Sequence, residues 1–282
     1  MTINKIAWLT DIHLNFLKPE ARKQFYQKVT EANIDAVLIT GDIAEAPSIC
    51  ELLAEFSVHI DKELYFVLGN HDYYLGDVIK VRHEVQYLCE QYKKLHWLGK
   101  PEVIEFANQT VLVGHDGWAD ARYGDFDRSR VNLNDSRYIA ELFQASGFGK
   151  AMLKHEMQRL ADADAAVLEK TLHETIERNK PGKVIVATHV PPFKECCWYE
   201  GKQSDENWQP YFSSKATGDI ISAAAIRYPM IDFVVLCGHT HTKHAIKPFS
   251  NLEVKIGGAE YYVPEIQEII GIKTNAQNFV NQ

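Results

Sequence analysis

The chain has 282 residues, 46% hydrophobic and 24% charged, with a formal net charge of -8. Such a chain can bury a substantial core in one or two domains, and its negative charge argues against the electrostatic grip by which nucleic-acid binders hold a phosphate backbone. No apolar run reaches the ~20 residues of a membrane span, and the apolar stretch in MTINKIAWLTDIHL is quickly followed by charge, so the expectation is a cytoplasmic chain without a span.

From the N-terminus, short apolar runs rich in β-branched residues alternate with amphipathic stretches. KIAWLT is followed by PEARKQFYQKVTEAN, which opens on Pro19 and reads as a helix, and then by DAVLIT. LYFVLG precedes DVIKVRHEVQYLCEQYKK, where Val78, Val81, Val85, Leu88 and Tyr92 recur at helical spacing. QTVLVG, KVIVAT and DFVVLC complete the series, the last preceded by a helical KATGDIISAAAIRY. Strands this apolar are buried on both faces, which predicts an α/β sandwich.

Residues 118–180 break the rhythm with a polar WADARYGDFDRSRVNLNDS and a long helical pattern that ends before Pro181-Gly182. They are expected to form a helical cap inserted into a single domain spanning residues 1–282. A later irregular segment carries Trp198, Tyr199, Trp208, Tyr211 and Phe212, which either line a substrate pocket or cover the rim of the sandwich. The cysteines number five, an odd count with no paired zinc knuckle, and all are expected to be reduced, the adjacent Cys196 and Cys197 included.

Ligands of α/β proteins gather beyond the carboxyl ends of strands. After IAWLT come Asp11 and His13; after AVLIT, Gly41 and Asp42; after YFVLG, Asn70, His71 and Asp72; after VIVAT, His189; after VVLC, Gly238, His239 and His241. One such end is an ordinary turn or cap, whereas five in succession point to one metal cluster. In an extended segment residues i and i+2 share a side, so Asp11 and His13 are expected to reach one metal together, and His239 and His241 stand in the same relation. Nitrogen and oxygen donors without a thiolate suit Mn, Fe, Zn or Ni and do not choose among them. They are too many for one tetrahedral zinc and fit two ions sharing a carboxylate, a pair that clamps both oxygens of a phosphoryl transfer and lowers the pKa of bound water toward ~7. The chemistry implied is phosphoester hydrolysis by metal-bound hydroxide. The residues alone leave His71 open between ligand and acid.

The ordered series Asp-x-His, Gly-Asp, Gly-Asn-His-Asp, a lone His after a strand, and Gly-His-x-His resembles the calcineurin-like metallophosphoesterases from Asp11 to His241. The resemblance implies two mixed β-sheets packed together with helices outside, a four-layer fold with the site at one edge. It assigns Asp11, His13 and His241 to one metal, Asn70, His189 and His239 to the other, and Asp42 to the bridge between them. His71 is then a group that contacts the scissile phosphate and assists the leaving oxygen, with Asp72 orienting its ring. In the related UDP-2,3-diacylglucosamine hydrolases a histidine after a comparable strand is a ligand, but there it precedes the glycine. Here His115 follows Gly114, so it is expected near the site with Asp116, Trp118 and Asp120 as substrate-side or supporting groups. His244 is expected to be a strand residue pointing away. Phosphoprotein phosphatases carry an Arg after Gly-Asp and a Glu in the Asn-His motif, and this chain has GDIAEAP and GNHD instead. The expected substrate is a small molecule or nucleotide diester, with monoester hydrolysis and a non-catalytic metal-bound scaffold as the alternatives.

Overall fold

The computed structural model describes residues 3–272. Its strands are β1 (Lys5–Leu9), β2 (Ala36–Thr40), β3 (Glu63–Val67), β4 (Leu95–Trp97), β5 (Ile104–Phe106), β6 (Thr110–Gly114) and β7 (Lys183–Ala187). They continue with β8 (Trp198–Tyr199), β9 (Lys202–Gln203), β10 (Asp232–Cys237), β11 (His244–Phe249), β12 (Leu252–Ile256) and β13 (Glu268–Gly271). The helices are α1 (Pro19–Glu31), α2 (Ile49–Ile60), α3 (Val78–Gln91), α4 (Asp135–Tyr138), α5 (Ala140–Gly147), α6 (Lys150–Asn179), α7 (Gln209–Phe212) and α8 (Lys215–Arg227). Local chemistry sets several starts: Pro19 opens α1, the Asp77 carboxylate accepts from Lys80 N at the head of α3, and Ser214 caps α8.

Two mixed sheets result, ordered β13-β1-β2-β3-β4 and β11-β12-β10-β7-β6-β5. Each has a parallel interior, and antiparallel partners occur only at edges, with β13 beside β1, β5 beside β6 and β11 beside β12. The period of two along each strand separates the layers. Ile6, Trp8, Ala36 and Leu38 pack toward Leu112, Ile185, Ala187 and Leu236 of the second sheet. Ala7, Leu9, Val37 and Ile39 turn outward to meet Phe25, Leu53, Phe56 and Val81 of the helices. The outer face of the second sheet meets Leu168, Leu172 and Ile176 of α6 and Ile221 and Ala224 of α8. The order helix, sheet, sheet, helix is the expected four-layer sandwich.

Register makes the strand ends level, with Leu9 opposite Ile39, Thr40 opposite Val67, and Gly114 and Leu236 both opposite Ala187. The loops that leave these ends therefore emerge along one edge.

The expected cap divides in two. The C-terminal half of α6 is a core layer, because Leu168, Leu172 and Ile176 form an apolar stripe that the second sheet buries. Its N-terminal half, through Met157, Leu160 and Ala161, joins the helices of the first sheet. Before α6, Leu133, Asn134 and Asp135 border the cleft at the strand ends, and α4 is tied down by Leu75 N donating to Tyr138 O at 2.7 Å. All five cysteines are free. Among the described residues no helix is long and apolar enough to cross a membrane.

Candidate metal centre

Beyond the strand ends the backbone turns left-handed at the donor residues: φ is 49° at Asp11, 39° at His13, 53° at Asp42, 71° at His239 and 55° at His241. A non-glycine residue there costs ~1–2 kcal/mol, strain of the kind that persists where the surroundings over-determine it. The extended geometry expected for Asp11 with His13, and for His239 with His241, is corrected accordingly. Left-handed turns bring Asp11 and His13 together and send His239 and His241 to different donor sets. At Gly41, with φ 88°, an added Cβ would stand 2.5 Å from His189 Nδ1, and at Gly238 it would collide with the Asp11 carboxylate.

The donors form two sets. Ligand atoms of Asp11, His13, Asp42 and His241 all lie within 4.8 Å of one another. His13 Nε2 is 3.4 Å from His241 Nε2 and 3.8 Å from Asp42 Oδ2, and His241 Nε2 is 3.3 Å from Asp11 Oδ1. In the second set Asn70 Oδ1 is 3.1 Å from His189 Nε2 and 3.0 Å from His239 Nδ1, while Asp42 Oδ1 is 3.3 Å from His189 Nε2. The two oxygens of Asp42 face different sets, which is the geometry of a bridge.

The hydrogen-bond partners of the two rings indicate what the second set lacks. His189 Nδ1 lies 2.8 Å from Thr40 O and His239 Nε2 lies 2.8 Å from Tyr211 O. A carbonyl only accepts, so each neutral ring carries its hydrogen on that side and turns a bare lone pair toward Asn70 Oδ1. Asn70 is held in this orientation because its Nδ2 donates to Asp135 Oδ1 at 2.8 Å. With both rings neutral, three acceptor atoms converge with no donor among them, an arrangement that a metal ion satisfies or, in its absence, a proton on His189. The residues present fit a pair of metal ions.

Burial by itself raises the Asp42 carboxyl, yet the charges of His189 and His71 and the His189 hydrogen bond hold it well below the ordinary carboxylate range. Burial lowers His189, but the Asp42 charge and hydrogen bond push it up to about 10. Without a cation, the buried carboxylate is balanced by a proton that a metal ion replaces.

His71 sits beside the first set, its ring centroid 4.7 Å from that of His13 and 4.2 Å from that of Tyr74, on which it stacks. Its backbone N donates to Asp42 Oδ1 at 2.9 Å, while its Nδ1 is buried without a hydrogen-bond partner. Asp72 does not orient that ring. Its Oδ1 accepts from Ile43 N and Ala44 N and its Oδ2 from Gly69 N, because three backbone amides of the two turns point into its buried position. It ties the loop carrying Asp42 to the loop carrying Asn70 and His71.

The groups expected near His115 form a separate buried knot. Asp164 accepts from both terminal nitrogens of the Arg82 guanidinium, at 3.0 and 2.7 Å, and lies 3.0 Å from His115 Nδ1. Asp116 accepts from Leu68 N, Trp97 Nε1 and Tyr73 OH. Asp120 accepts from Ala216 N and Arg122, and Trp118 packs on Tyr73. His115, Trp118 and Asp120 are buried and none lines the cleft at the donor sets, so the substrate-side expectation for them is replaced by a role in the scaffold. His244 lies on β11, stacked on Trp198.

That cleft, of ≈ 290 Å³, is bordered by Asp42, Asn70, His71, His239 and His241 and by groups that residue-by-residue reading missed: Tyr74, Asp135 and Tyr261. Asp135 also accepts from Tyr74 OH at 2.7 Å. It lies in a polar stretch without a period, and no motif marks it. Of the five aromatics of the irregular segment, Tyr199, Trp208 and Phe212 border the same cleft, and Trp198 and Tyr211 do not.

The calcineurin-like phosphoesterase family model matches residues 4–243, and the chain belongs to that family. It is a metal-dependent phosphoester hydrolase, from a family of dinuclear metal enzymes. Among solved structures, a phosphopantetheinyl hydrolase from Mycobacterium tuberculosis is similar in fold, with a TM-score of 0.62, 11% identity and coverage of 90% of this chain and 89% of that one. The protein TT1561 of Thermus thermophilus is similar at a TM-score of 0.53, with 12% identity and coverage of 91% of this chain and 90% of that one. No curated protein matches the chain by sequence.

Proposed function

We propose that the protein hydrolyses small phosphodiesters at a dinuclear centre held by Asp11, His13 and His241 on one side and Asn70, His189 and His239 on the other, with Asp42 shared. The observation that carries this reading is the pair of donor sets meeting at Asp42, its Oδ2 toward His13 and its Oδ1 toward His189. Mn, Fe, Zn and Ni all suit the donors. Two such ions supply Lewis acidity toward a phosphoryl oxygen and make water acidic enough to serve as nucleophile near neutral pH.

The chain's own residues do the rest. The carbonyls of Thr40 and Tyr211 keep the proton of each neutral ring away from the centre, and Asp135 holds the Asn70 amide so that its oxygen points in. His71 borders the cleft, where its imidazole donates a proton to the departing oxygen. Asp72 keeps the loop of His71 in place through backbone amides. The cleft at the centre is also bordered by Tyr199, Trp208 and Tyr261, so a bound substrate meets aromatic side chains there.

The test is turnover of bis-p-nitrophenyl phosphate and p-nitrophenyl phosphate, side by side, on protein loaded with Mn²⁺, with Asp42→Ala as control. A diester rate above the monoester rate, lost in the variant, is expected. Dominance of the monoester moves the substrate to phosphorylated metabolites, and metal-loaded protein that turns over neither supports a binding scaffold.

A further inference from the structure

The cleft has aromatic walls. From the His239 ring a strip runs outward through Phe212, 5.6 Å away, and Trp208, 5.4 Å further and inclined by 24°. Tyr199 completes a cluster with them, 6.1 Å from Trp208 at 24° and 5.8 Å from Phe212 at 48°. Across the centre, Tyr261 stands 5.1 Å from His241 and 4.8 Å from His13. Trp208 is 36% exposed and Tyr199 43%, so these rings retain surface for contact with a further group. Neither lysine nor arginine lines the cleft among the described residues, and Asp135 adds a carboxylate to it.

Resting on the hydrolase reading above, we infer that the substrate is a phosphoester of single negative charge that carries a planar aromatic group, seated against Trp208 and Tyr199. The inference combines two constraints. Partly exposed rings on the wall of a cleft offer area and quadrupole contacts to a flat group, of the kind aromatic platforms give to nucleobases. A second negative charge on the substrate, placed beyond the metal centre, meets the Asp135 carboxylate with no lysine or arginine among the cleft's described lining to offset it. Nucleoside polyphosphates and polynucleotides therefore fit the cleft poorly.

Phosphinates test this without turnover, because their P–C bonds do not hydrolyse and each carries one negative charge. Binding to Mn²⁺-loaded protein is followed by calorimetry. Methylphenylphosphinate is expected to bind about tenfold more tightly than dimethylphosphinate. Trp208→Ala removes that preference and Trp208→Phe restores most of it. A carboxyl group added to the phenyl ring weakens binding. Equal binding of the two phosphinates, a preference that survives Trp208→Ala with metal content unchanged, or tighter binding of the carboxylated probe would each overturn the inference. Bis-p-nitrophenyl phosphate turnover on the same protein separates the two proposals: turnover with equal phosphinate binding sinks only the aromatic shelf, and a phenyl preference without turnover of any phosphoester sinks only the hydrolysis.

Discussion

Two clusters of histidine and aspartate stand at neighbouring strand ends, and they differ in what faces the acceptor atoms. Asp11, His13, Asp42 and His241 form one, and His115, Asp116 and Asp164 the other, each with ligand atoms within 4.8 Å of one another. In the second, Arg82 and several amide, indole and phenol donors occupy the carboxylates. In the first, His13 Nε2 and His241 Nε2 face each other, and next to them Asn70 Oδ1 faces two more ring nitrogens. A metal site is thus distinguished from a structural knot by a surplus of lone pairs over donors, since residue types and proximity are alike in both.

The largest expected effects fall on the first cluster. Asp42→Ala removes the oxygen atoms common to both sets, so metal content falls at both positions and the rate drops by ~10³-fold or more. Two metals per chain in that variant, by elemental analysis, would contradict the bridge. His71→Ala is expected to keep both metals while the rate on a poor leaving group falls ~10²–10⁴-fold, and an unchanged rate would remove His71 from proton transfer.

Arg82→Met breaks the other cluster. It leaves Asp164 and Asp116 buried without their cation, which costs about 3–5 kcal/mol in urea unfolding, while bound metal per folded chain stays the same. Additional metal taken up by the variant would mean that Arg82 alone had been keeping that cluster from being a second site. Asp135→Leu tests whether orientation matters as much as ligand identity. It frees the Asn70 amide to rotate, and the expected loss is ~10–100-fold in affinity for one of the two metals; equal affinities at both positions would exclude the positioning role.

The smallest effect belongs to the His96–Glu63 ion pair, 2.6 Å, at β4. Burial lowers His96, but hydrogen bonds and charge from Glu102 and Glu63 outweigh it and leave its pKa raised above the ordinary 6.5. A histidine raised on folding contributes stability that is fully present below the unfolded pKa and is lost as pH climbs through the folded one. His96→Gln should therefore lower the urea midpoint at pH ~5.5 and leave it unchanged at pH ~9, by less than ~1 kcal/mol because the pair is partly solvated. An equal loss at both pH values would assign the effect to packing instead.

The layer order and the donor residues are legible in the sequence because each rests on a local signal. Uniformly apolar five-residue runs announce buried strands, and a polar donor directly after each run marks its carboxyl end. The 118–180 stretch is harder to read, because polarity at its start and helical period at its end look like one insertion, while the stripe Leu168, Leu172 and Ile176 belongs to a core layer whose partner sheet is distant in sequence. His115 and Asp120 look like site residues by position. Nothing near them in the sequence shows Arg82 or Ala216 N reaching in to occupy their neighbours and themselves.

By itself the sequence determined which side chains arrive at the strand ends, since strand period and the residue after each strand are properties of consecutive positions. It did not determine the backbone at those ends, where left-handed turns at Asp11, His13, Asp42, His239 and His241 are imposed by the packed surroundings against local preference. The tertiary structure alone decided that Asp42 faces two donor sets, that Asp135 fixes Asn70, and that an aromatic strip borders the cleft. Those facts depend on contacts between segments far apart in the chain, such as the 65 positions between Asn70 and Asp135, and no pattern along the sequence encodes a meeting at that distance.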